Sequence, residues 1–471
     1  MILNINNFAN NIAVITEDGG VITYRELSLY CEQLVQNIKK RCLVFNLCSN
    51  TLGSLVGYIA FLNNDIVTLM LSDKLDSSLL EHYIKTYKPD YLHVPDSVTE
   101  KFSQLKTIYS DIGYSLLKTE YSSEYILHDD LALLLTTSGV TGSPKLVRQS
   151  YTNIRANTES IVEFLEIGEQ ERAITTLPMN YTYGLSVINS HLSVGASIVI
   201  SDKGVMQKDF WQQLNEYQIT SFSGVPYTYE MLDRLRFFRM NLPFLKTLTQ
   251  AGGKLGSDLH LKFANYAIEN NKKFFVMYGQ TEATARMSYL PTGKSLQKCG
   301  SIGMVIPGGS FYLIDEKGNK ILNSDTVGEL VYSGKNVMLG YANSGEDLGL
   351  GNDQQGLLHT GDLAKFDSEG FFYIVGRKNR FLKLFGNRIG LDEIESLVKK
   401  EFSLECACVG KDDNMIIYIT DDELSKKVLG FVSKKTGINS AAFEVRYLNN
   451  MPKNEAGKTL YKELEGRFPC L

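Results

Sequence analysis

Short, largely apolar runs set the strongest constraint on this chain: Cys42–Leu47, Ile66–Leu71, Leu131–Leu135, Ala173–Leu177 and Ala196–Ile200 recur between segments with helical spacing such as Phe210–Tyr217 and Leu259–Ile268. A strand apolar on both faces must be covered on both faces, and strands that alternate with helices are joined by crossovers. The rhythm therefore predicts an α/β fold built on buried, mainly parallel sheets. With 471 residues the chain exceeds what one hydrophobic core serves, so two or three core units are expected.

At the start, Ile12 to Thr16 alternates, Glu17-Asp18-Gly19-Gly20 supplies a turn, and Thr23 to Glu26 has capping-box spacing. That order predicts a hairpin feeding a helix that runs to about Lys40. From about Lys298 glycines punctuate short β-type runs such as Phe311–Ile314 and Gly328–Tyr332, which predicts a mainly β subdomain over 298–376. After Gly376-Arg377 strand-like pieces mix with helical ones, including Leu391–Phe402 and Glu423–Lys435. The expected organisation is a large N-terminal part, 1–378, and a small α+β C-terminal domain, 379–471.

Lysine and arginine number 48 against 53 aspartates and glutamates, a net charge of −5, which argues against a nucleic-acid binder driven by bulk positive charge. The seven cysteines, Cys31, Cys42, Cys48, Cys299, Cys406, Cys408 and Cys470, are odd in number and have no framework spacing, as expected in a reducing cytoplasm. Met1 to Asn11 has neither the basic nor the apolar part of an export signal, and the longest apolar stretch, Leu52 to Leu71, is broken by Asn63, Asn64 and Asp65. No membrane span is expected. Cys406-x-Cys408 reads as a strand pair rather than half a zinc site, and the six histidines, His82, His93, His128, His191, His260 and His359, lack metal-ligand spacing.

The stretch that carries most chemistry is Leu133 to Val147, an apolar strand entering a segment dense in hydroxyls, with two glycines and one lysine. Gly139 and Gly142 let backbone N–H groups turn inward, Thr137, Ser138 and Thr141 add donors, and Lys145 adds positive charge, a set suited to a polyphosphate. The spacing is not that of a Walker loop, because the lysine follows Pro144 instead of the second glycine. Gly293-Lys294-Ser295 and Gly457-Lys458-Thr459 fail the same pattern for want of the leading glycine, with Ser288 and Pro452 in its place.

Thr137-Ser-Gly-Val-Thr-Gly-Ser-Pro-Lys145 resembles the TSGTTG-x-PKG loop of adenylate-forming enzymes, the superfamily of acyl-CoA synthetases, peptide-synthetase adenylation domains and luciferases. The resemblance continues in order through Tyr278-Gly-Gln-Thr-Glu282 (YGxTE), Gly328-Glu-Leu330 with Gly340-Tyr341 (GEL…GY), Thr360-Gly-Asp362 (TGD), Gly376-Arg377, Lys383 to Ile394, and Asn454-Glu-Ala-Gly-Lys458 (NxxGK). It covers the chain from about residue 131 to the end.

The resemblance implies an enzyme in which a carboxylate attacks the α-phosphorus of ATP, pyrophosphate leaves and an acyl-adenylate forms. Two anions must then be held together, so positive charge and positioning supply most of the catalysis. By this resemblance Lys458 bridges the acid and the α-phosphate, Glu282 holds Mg²⁺ with help from Thr137, and Thr281 belongs to the same catalytic turn. Thr137, Ser138, Gly139, Thr141, Gly142 and Lys145 bind the phosphates. Asp362 accepts the ribose hydroxyls with Arg377 beside it, and Gly252, Gly253, Tyr278 and Gly279 pack on adenine. Asn379 corresponds to the hinge about which the C-terminal domain turns, and Lys383 and Gly386 to the face used for thiol transfer. The implied acceptor is the thiol of coenzyme A or of a separate carrier protein's phosphopantetheine, since no carrier domain is expected to be fused after Lys458.

Four positions depart from the family pattern: Val140 for threonine, Leu146 for glycine, Asn379 for aspartate or lysine, and Tyr461 for arginine. The acid-pocket segment Pro178 to Gly184 offers Tyr181, Tyr183 and Gly184, with no aspartate to pair an α-ammonium. A small carboxylic acid without that ammonium is therefore the expected substrate. The rivals are an amino-acid-adenylating enzyme and a degenerate nucleotide-binding member without turnover. A lone lysine, glutamate or aspartate is ordinarily a solvated or turn residue. The ordered set of motifs is what assigns chemistry to these.

Overall fold

The computed structural model describes residues 5–38, 40–122, 124–136, 145–378, 380–385, 387–454 and 457–467. They form two compact units, one of Met1–Ser310 with Tyr332–Leu358, the other of Phe311–Val331 with His359–Leu471.

The first unit opens with the predicted hairpin, Ile12–Ile15 against Val21–Thr23, turned through Gly19 at φ +86°. The helix Tyr24–Val35 follows directly because Thr23 and Glu26 form the expected capping box, with Thr23 N donating to Glu26 Oε2 at 2.8 Å and Glu26 N donating to Thr23 Oγ1 at 3.2 Å. The helix stops short of the expected Lys40.

Two large sheets carry the unit. The first is nine-stranded, in spatial order Met304–Val305, Ser288–Leu290, Lys273–Tyr278, Thr247–Gln250, Ser221–Gly224, Arg172–Ile174, Ser197–Val199, Ile12–Ile15 and Val21–Thr23. From Lys273–Tyr278 to Ile12–Ile15 its strands are parallel, and its margins are antiparallel. The second is eight-stranded, in the order Gly340–Ala342, Leu146–Ser150, Leu131–Thr136, Val67–Ser72, Leu43–Cys48, Tyr91–Pro95, Tyr114–Lys118 and Lys106–Asp111. It too is parallel at its centre and antiparallel at both margins.

The apolar stretch Leu52 to Leu71 becomes a core helix, Leu52–Asn63, buried from Gly53 to Leu62, and then the strand Val67–Ser72. Asp65, at φ +57°, makes the break between them. Among the described residues no helix is long and apolar enough to cross a membrane.

In the second unit a five-stranded sheet runs Lys320–Ile321, Gly309–Ile314, Gly328–Gly334, Leu357–Phe366 and Phe372–Arg377. This pairing draws part of the expected 298–376 subdomain into the same compact unit as the C-terminal residues, so the units part well before residue 378. The hairpin Phe381–Leu384 with Asn387–Gly390 follows, and then a three-stranded sheet of Cys406–Lys411, Asn414–Ile419 and Phe443–Tyr447. The helices Leu391–Phe402 and Ser425–Thr436 bury Ile394, Val398, Val428 and Val432 in one cluster with Cys406, Cys408 and Ile417. Both cysteines are strand core, and no group of metal-ligating side chains occurs among the described residues.

Candidate functional site

The strands Leu131–Thr136 and Leu146–Ser150 pair antiparallel, Thr136 opposite Leu146 and Leu135 opposite Val147. Thr137, Ser138, Gly139, Val140, Thr141 and Gly142, which join them, lie outside the described residues. Leu146, where relatives carry glycine, is fully buried beside Leu131, Leu134 and Leu339. That departure is a packing substitution inside a strand.

Lys145 is described, and its Nζ lies 3.7 Å from the centre of the Tyr341 ring. Tyr341 belongs to the edge strand Gly340–Ala342, opposite Val147, and its hydroxyl donates to Glu282 Oε1 at 2.9 Å. Burial, and then the Glu282 charge, push the Tyr341 hydroxyl pKa up, so it stays protonated as a donor. The glycine before it is required by its neighbours. A Cβ on Gly340 would stand 2.6 Å from Asp353 Oδ2 and 2.7 Å from Arg148 Nη2, an ion pair in which the arginine is fully buried and its Nε also donates to the Tyr341 carbonyl at 3.1 Å. The Gly-Tyr motif thus seats the edge strand on Arg148 and aims the phenol at Glu282.

Glu282 itself stands on the short turn Thr281–Ala283 that follows the strand Lys273–Tyr278. The turn is tied on all sides: Gln149 Nε2 donates to the Thr281 carbonyl at 2.9 Å, Met338 N to the Glu282 carbonyl at 2.9 Å, and Asn336 Nδ2 to the Ala283 carbonyl at 2.8 Å. Gly279 permits the return of the chain, since a Cβ there would lie 1.6 Å from the Ala285 carbonyl oxygen.

Gly252, at φ +85°, faces the segment 178–184: a Cβ would meet the Tyr181 hydroxyl oxygen at 2.6 Å and Val225 at 3.2 Å, while one on Gly253 would meet Pro226 at 3.1 Å. Tyr181 stands edge-to-face with Tyr183 at 6.2 Å, and Tyr183 shares its hydroxyl with Thr249 Oγ1 at 2.8 Å. Gly184 is fixed by the Pro178 carbonyl oxygen, 2.3 Å from where its Cβ would stand. The structure thus brings Tyr181, Tyr183 and Gly252 into one wall, and Lys145, Tyr341 and Glu282 into another cluster of the same unit.

The second unit carries the remaining residues. Asp362 is buried and lies opposite Arg377 across the strand pair, with Arg377 Nε 3.3 Å from Asp362 Oδ1. Glu329 of the Gly-Glu-Leu motif pairs with Lys378 at 2.7 Å. Lys458 closes a tight return in which its N donates to Asn454 Oδ1 at 2.9 Å and Asn454 N donates back to the Lys458 carbonyl at 2.9 Å. Lys383 is exposed on its hairpin, its N bonded to Asp412 Oδ1 at 2.8 Å. Asn379 and Gly386 lie outside the described residues. Tyr461, the last departure, donates to Glu395 Oε2 at 3.0 Å with the Arg380 guanidinium 3.8 Å from its ring centre.

Sequence reasoning named Tyr341 only as part of a motif and missed Arg148 and Gln149 as site-building residues. Buried polar side chains leave no local signature, and only the two glycine positions beside them hint at a close approach. For magnesium the donor chemistry fits: Glu282 is a hard oxygen donor with no cation paired to it among the described residues. Mg²⁺ commonly takes one or two carboxylates plus phosphate oxygens and water rather than a protein cage.

Two parallel-centred sheets in one unit and a β-rich second unit are the fold of adenylate-forming enzymes. The chain belongs to the AMP-binding enzyme family, whose model matches residues 3–342. It is similar to the peroxisomal OPC-8:0-CoA ligase 1 of Arabidopsis thaliana, 28% identical over 357 residues that span 72% of this chain and 65% of that one. It is also similar to the oxalate–CoA ligase of Saccharomyces cerevisiae, 28% identical over 70% of this chain and 62% of that one. In both, the match spans less than two thirds of the relative's length. The o-succinylbenzoate CoA synthetase of Bacillus subtilis, solved with its acyl-adenylate intermediate, shares the fold at a TM-score of 0.80 and 22% identity over 98% of this chain and 97% of that one.

Proposed function

We propose that this chain activates a carboxylic acid with ATP, forming an acyl-adenylate and releasing pyrophosphate, and then passes the acyl group to a thiol. The observation that carries this reading is the Lys145–Tyr341–Glu282 cluster at the foot of the 137–144 segment, which sets a cation and a carboxylate beside a phosphate-binding sequence.

In this reading Lys145 neutralises charge on the phosphates, and the Tyr341 ring and hydroxyl keep it and Glu282 in register. Glu282, with Thr137, holds Mg²⁺, which when bound offsets charge on the departing pyrophosphate. Asp362 accepts the ribose hydroxyls with Arg377 beside it, and the bare backbone at Gly252 and Gly253 receives the adenine. Lys458 brings a compact ammonium to the carboxylate and α-phosphate, lowering the repulsion that would keep the two anions apart. Residues 379–471 serve as the mobile part, turning about Asn379, with Lys383 and Gly386 on the thiol-transfer face.

Relatives that are CoA ligases support coenzyme A as acceptor, and a separate carrier protein's phosphopantetheine is the other thiol of the same chemistry. A reducing compartment such as the cytoplasm suits the described cysteines, none of which forms a disulfide.

The amino-acid rival is disfavoured by the surroundings of Tyr183, where the Arg286 guanidinium lies 5.1 Å from the ring and would repel an ammonium. The degenerate rival loses one of its motives, because Tyr461 is accounted for by its hydrogen bond to Glu395 and the Arg380 guanidinium over its ring. Acid-dependent pyrophosphate release across panels of simple acids and amino acids tests the reading. Release with simple acids supports it, and nucleotide binding with no release for any acid would overturn it.

A further inference from the structure

Four residues after Glu282 the chain passes back into the first unit's interior at Arg286, which is 2% exposed. Its backbone is fixed on both sides: the Arg286 carbonyl accepts from Asn157 Nδ2 at 2.8 Å and from Asn336 Nδ2 at 3.3 Å. Its side chain is the reverse. Nε and Nη1 have no hydrogen-bond partner, and no carboxylate lies within ion-pair distance among the described residues. Among the described residues the compensating contact is the face of Tyr183, 5.1 Å from the guanidinium carbon.

A buried lysine can shed its proton, but a guanidinium keeps its charge in a folded protein. Burial here pulls the Arg286 pKa only to about 10, so the group is a cation at any physiological pH. An aromatic face offsets part of such a charge and none of its unmet N–H groups. The other large buried arginine of the unit, Arg148, has a carboxylate and backbone carbonyls around it, so the unit satisfies a buried guanidinium where the fold alone requires one. Arg286 instead presents open donors beside Tyr183, next to the wall formed with Tyr181 and Gly252.

We propose that Arg286 receives a second carboxylate on the acid substrate, so that the chain acts on a dicarboxylic acid, one carboxylate reacting and the other held by Arg286. This rests on the acid-activation reading above. The planar fork of a guanidinium matches a carboxylate in two parallel hydrogen bonds, which gives orientation as well as charge. Arg286 is then a specificity-determining residue, while the reacting carboxylate is served by Lys458.

The test compares wild type, Arg286→Met and Arg286→Lys on succinate, glutarate, adipate and phthalate and on the monomethyl ester of each. Pyrophosphate release is the rate readout, and calorimetry of each acid with the protein is the binding readout. The expected result is that wild type favours at least one free diacid over its monoester by about tenfold or more. Arg286→Met should lower kcat/KM for that diacid by about 100-fold, mainly through KM, and leave the monoester within a few-fold, while Arg286→Lys keeps part of the preference. Uniform preference for the monoesters, or equal losses on diacid and monoester in Arg286→Met, overturns the proposal. If no acid releases pyrophosphate, the activation reading falls, and calorimetry then decides for Arg286 alone. Diacid binding by wild type that is lost in Arg286→Met sustains the assignment, whereas equal binding or none overturns it.

Discussion

Tyr341 donates its hydroxyl to Glu282 Oε1 at 2.9 Å while the same ring lies under Lys145 Nζ at 3.7 Å, so one phenol serves both a carboxylate and an ammonium. The two roles separate in Tyr341→Phe, which keeps the ring and removes the donor. A hydrogen bond to a charged group is worth roughly 1.5–3 kcal/mol, so adenylation should fall about 10- to 100-fold. The magnesium concentration for half-maximal rate should rise as well, since Glu282 loses its orienting partner. Pyrophosphate release measured across magnesium concentrations checks both, and an unchanged magnesium dependence would sink the role given to Tyr341.

Gly279→Ala should be the most damaging of the small substitutions. The added methyl would fall 1.6 Å from the Ala285 carbonyl oxygen, a backbone atom that cannot swing aside. Overpacking of this kind costs about 3 kcal/mol or more, and the displaced turn carries Glu282, so activity should be lost together with stability. Thermal unfolding alongside pyrophosphate release measures the pair.

These two sites show what the sequence could and could not tell. The capping box of Thr23 and Glu26 was legible because it is made within four residues, and the core strands because their apolar runs need no partner to be seen. The ordered motifs gave the family. What Tyr341 does depends on the strand Gly340–Ala342 pairing with Leu146–Ser150, a contact between distant segments that no local pattern encodes. Arg286 was invisible for a similar reason: in Thr-Ala-Arg-Met an arginine looks like a surface residue until the sheet and the helix Thr182–Leu192 close over it. Leu146 and Tyr461 stood out as departures from the family pattern, and the structure shows each as a core or network residue. The β-rich stretch was seen, but its partition was not, because strand pairing between 309–334 and 357–377 decides it.

Lys458 stands at the end of a return closed by reciprocal bonds with Asn454, which fixes its backbone. Lys458→Ala should reduce acyl-adenylate formation by about 100-fold or more while ATP binding stays within a few-fold, because the ammonium stabilises the approach of the two anions more than the bound nucleotide. Lys458→Arg should not restore the rate, since a planar fork is a poor replacement for a point charge. Single-turnover adenylate formation and calorimetric ATP binding separate these terms. Equal losses in both would refute the assignment.

Acid should loosen the first unit through two histidines that the chemistry does not use. Burial pulls the His93 imidazole pKa down to about 3 and that of His191 to about 4, against an ordinary value near 6.5. With the folded pKa depressed, the unfolded chain takes up protons first as pH falls, so stability is complete above pH 6.5 and is lost progressively below it. Between pH 7.5 and 5 each histidine should remove roughly 2 kcal/mol. Denaturant unfolding at the two pH values reads the pair, and His93→Gln should show a loss smaller by roughly 2 kcal/mol. An identical pH slope in that variant would count against the buried neutral state.

The second unit holds its own charge cluster next to the expected hinge. Arg380 Nη2 donates to Glu395 Oε1 at 2.8 Å and to the Cys408 carbonyl at 2.9 Å, Arg380 Nη1 donates to Asp392, and Tyr461 closes the group through its ring and its hydroxyl. Burial already holds the Asp392 carboxyl above the usual carboxylate range despite the arginine beside it. Removing the cation in Arg380→Met leaves two carboxylates in a low-dielectric setting and should cost about 3–5 kcal/mol near neutral pH. Because a raised folded-state pKa means stability is lost as pH rises through it, the same variant should recover part of that loss near pH 5. Tyr461→Phe removes a single hydrogen bond to Glu395 and keeps the ring, so its cost should be nearer 1.5 kcal/mol. Hydrogen exchange of the full chain over 391–464 at both pH values measures the contrast. Equal protection in wild type and Arg380→Met would show that the segment does not depend on this cluster, and that Tyr461 stands where relatives carry arginine for some other reason.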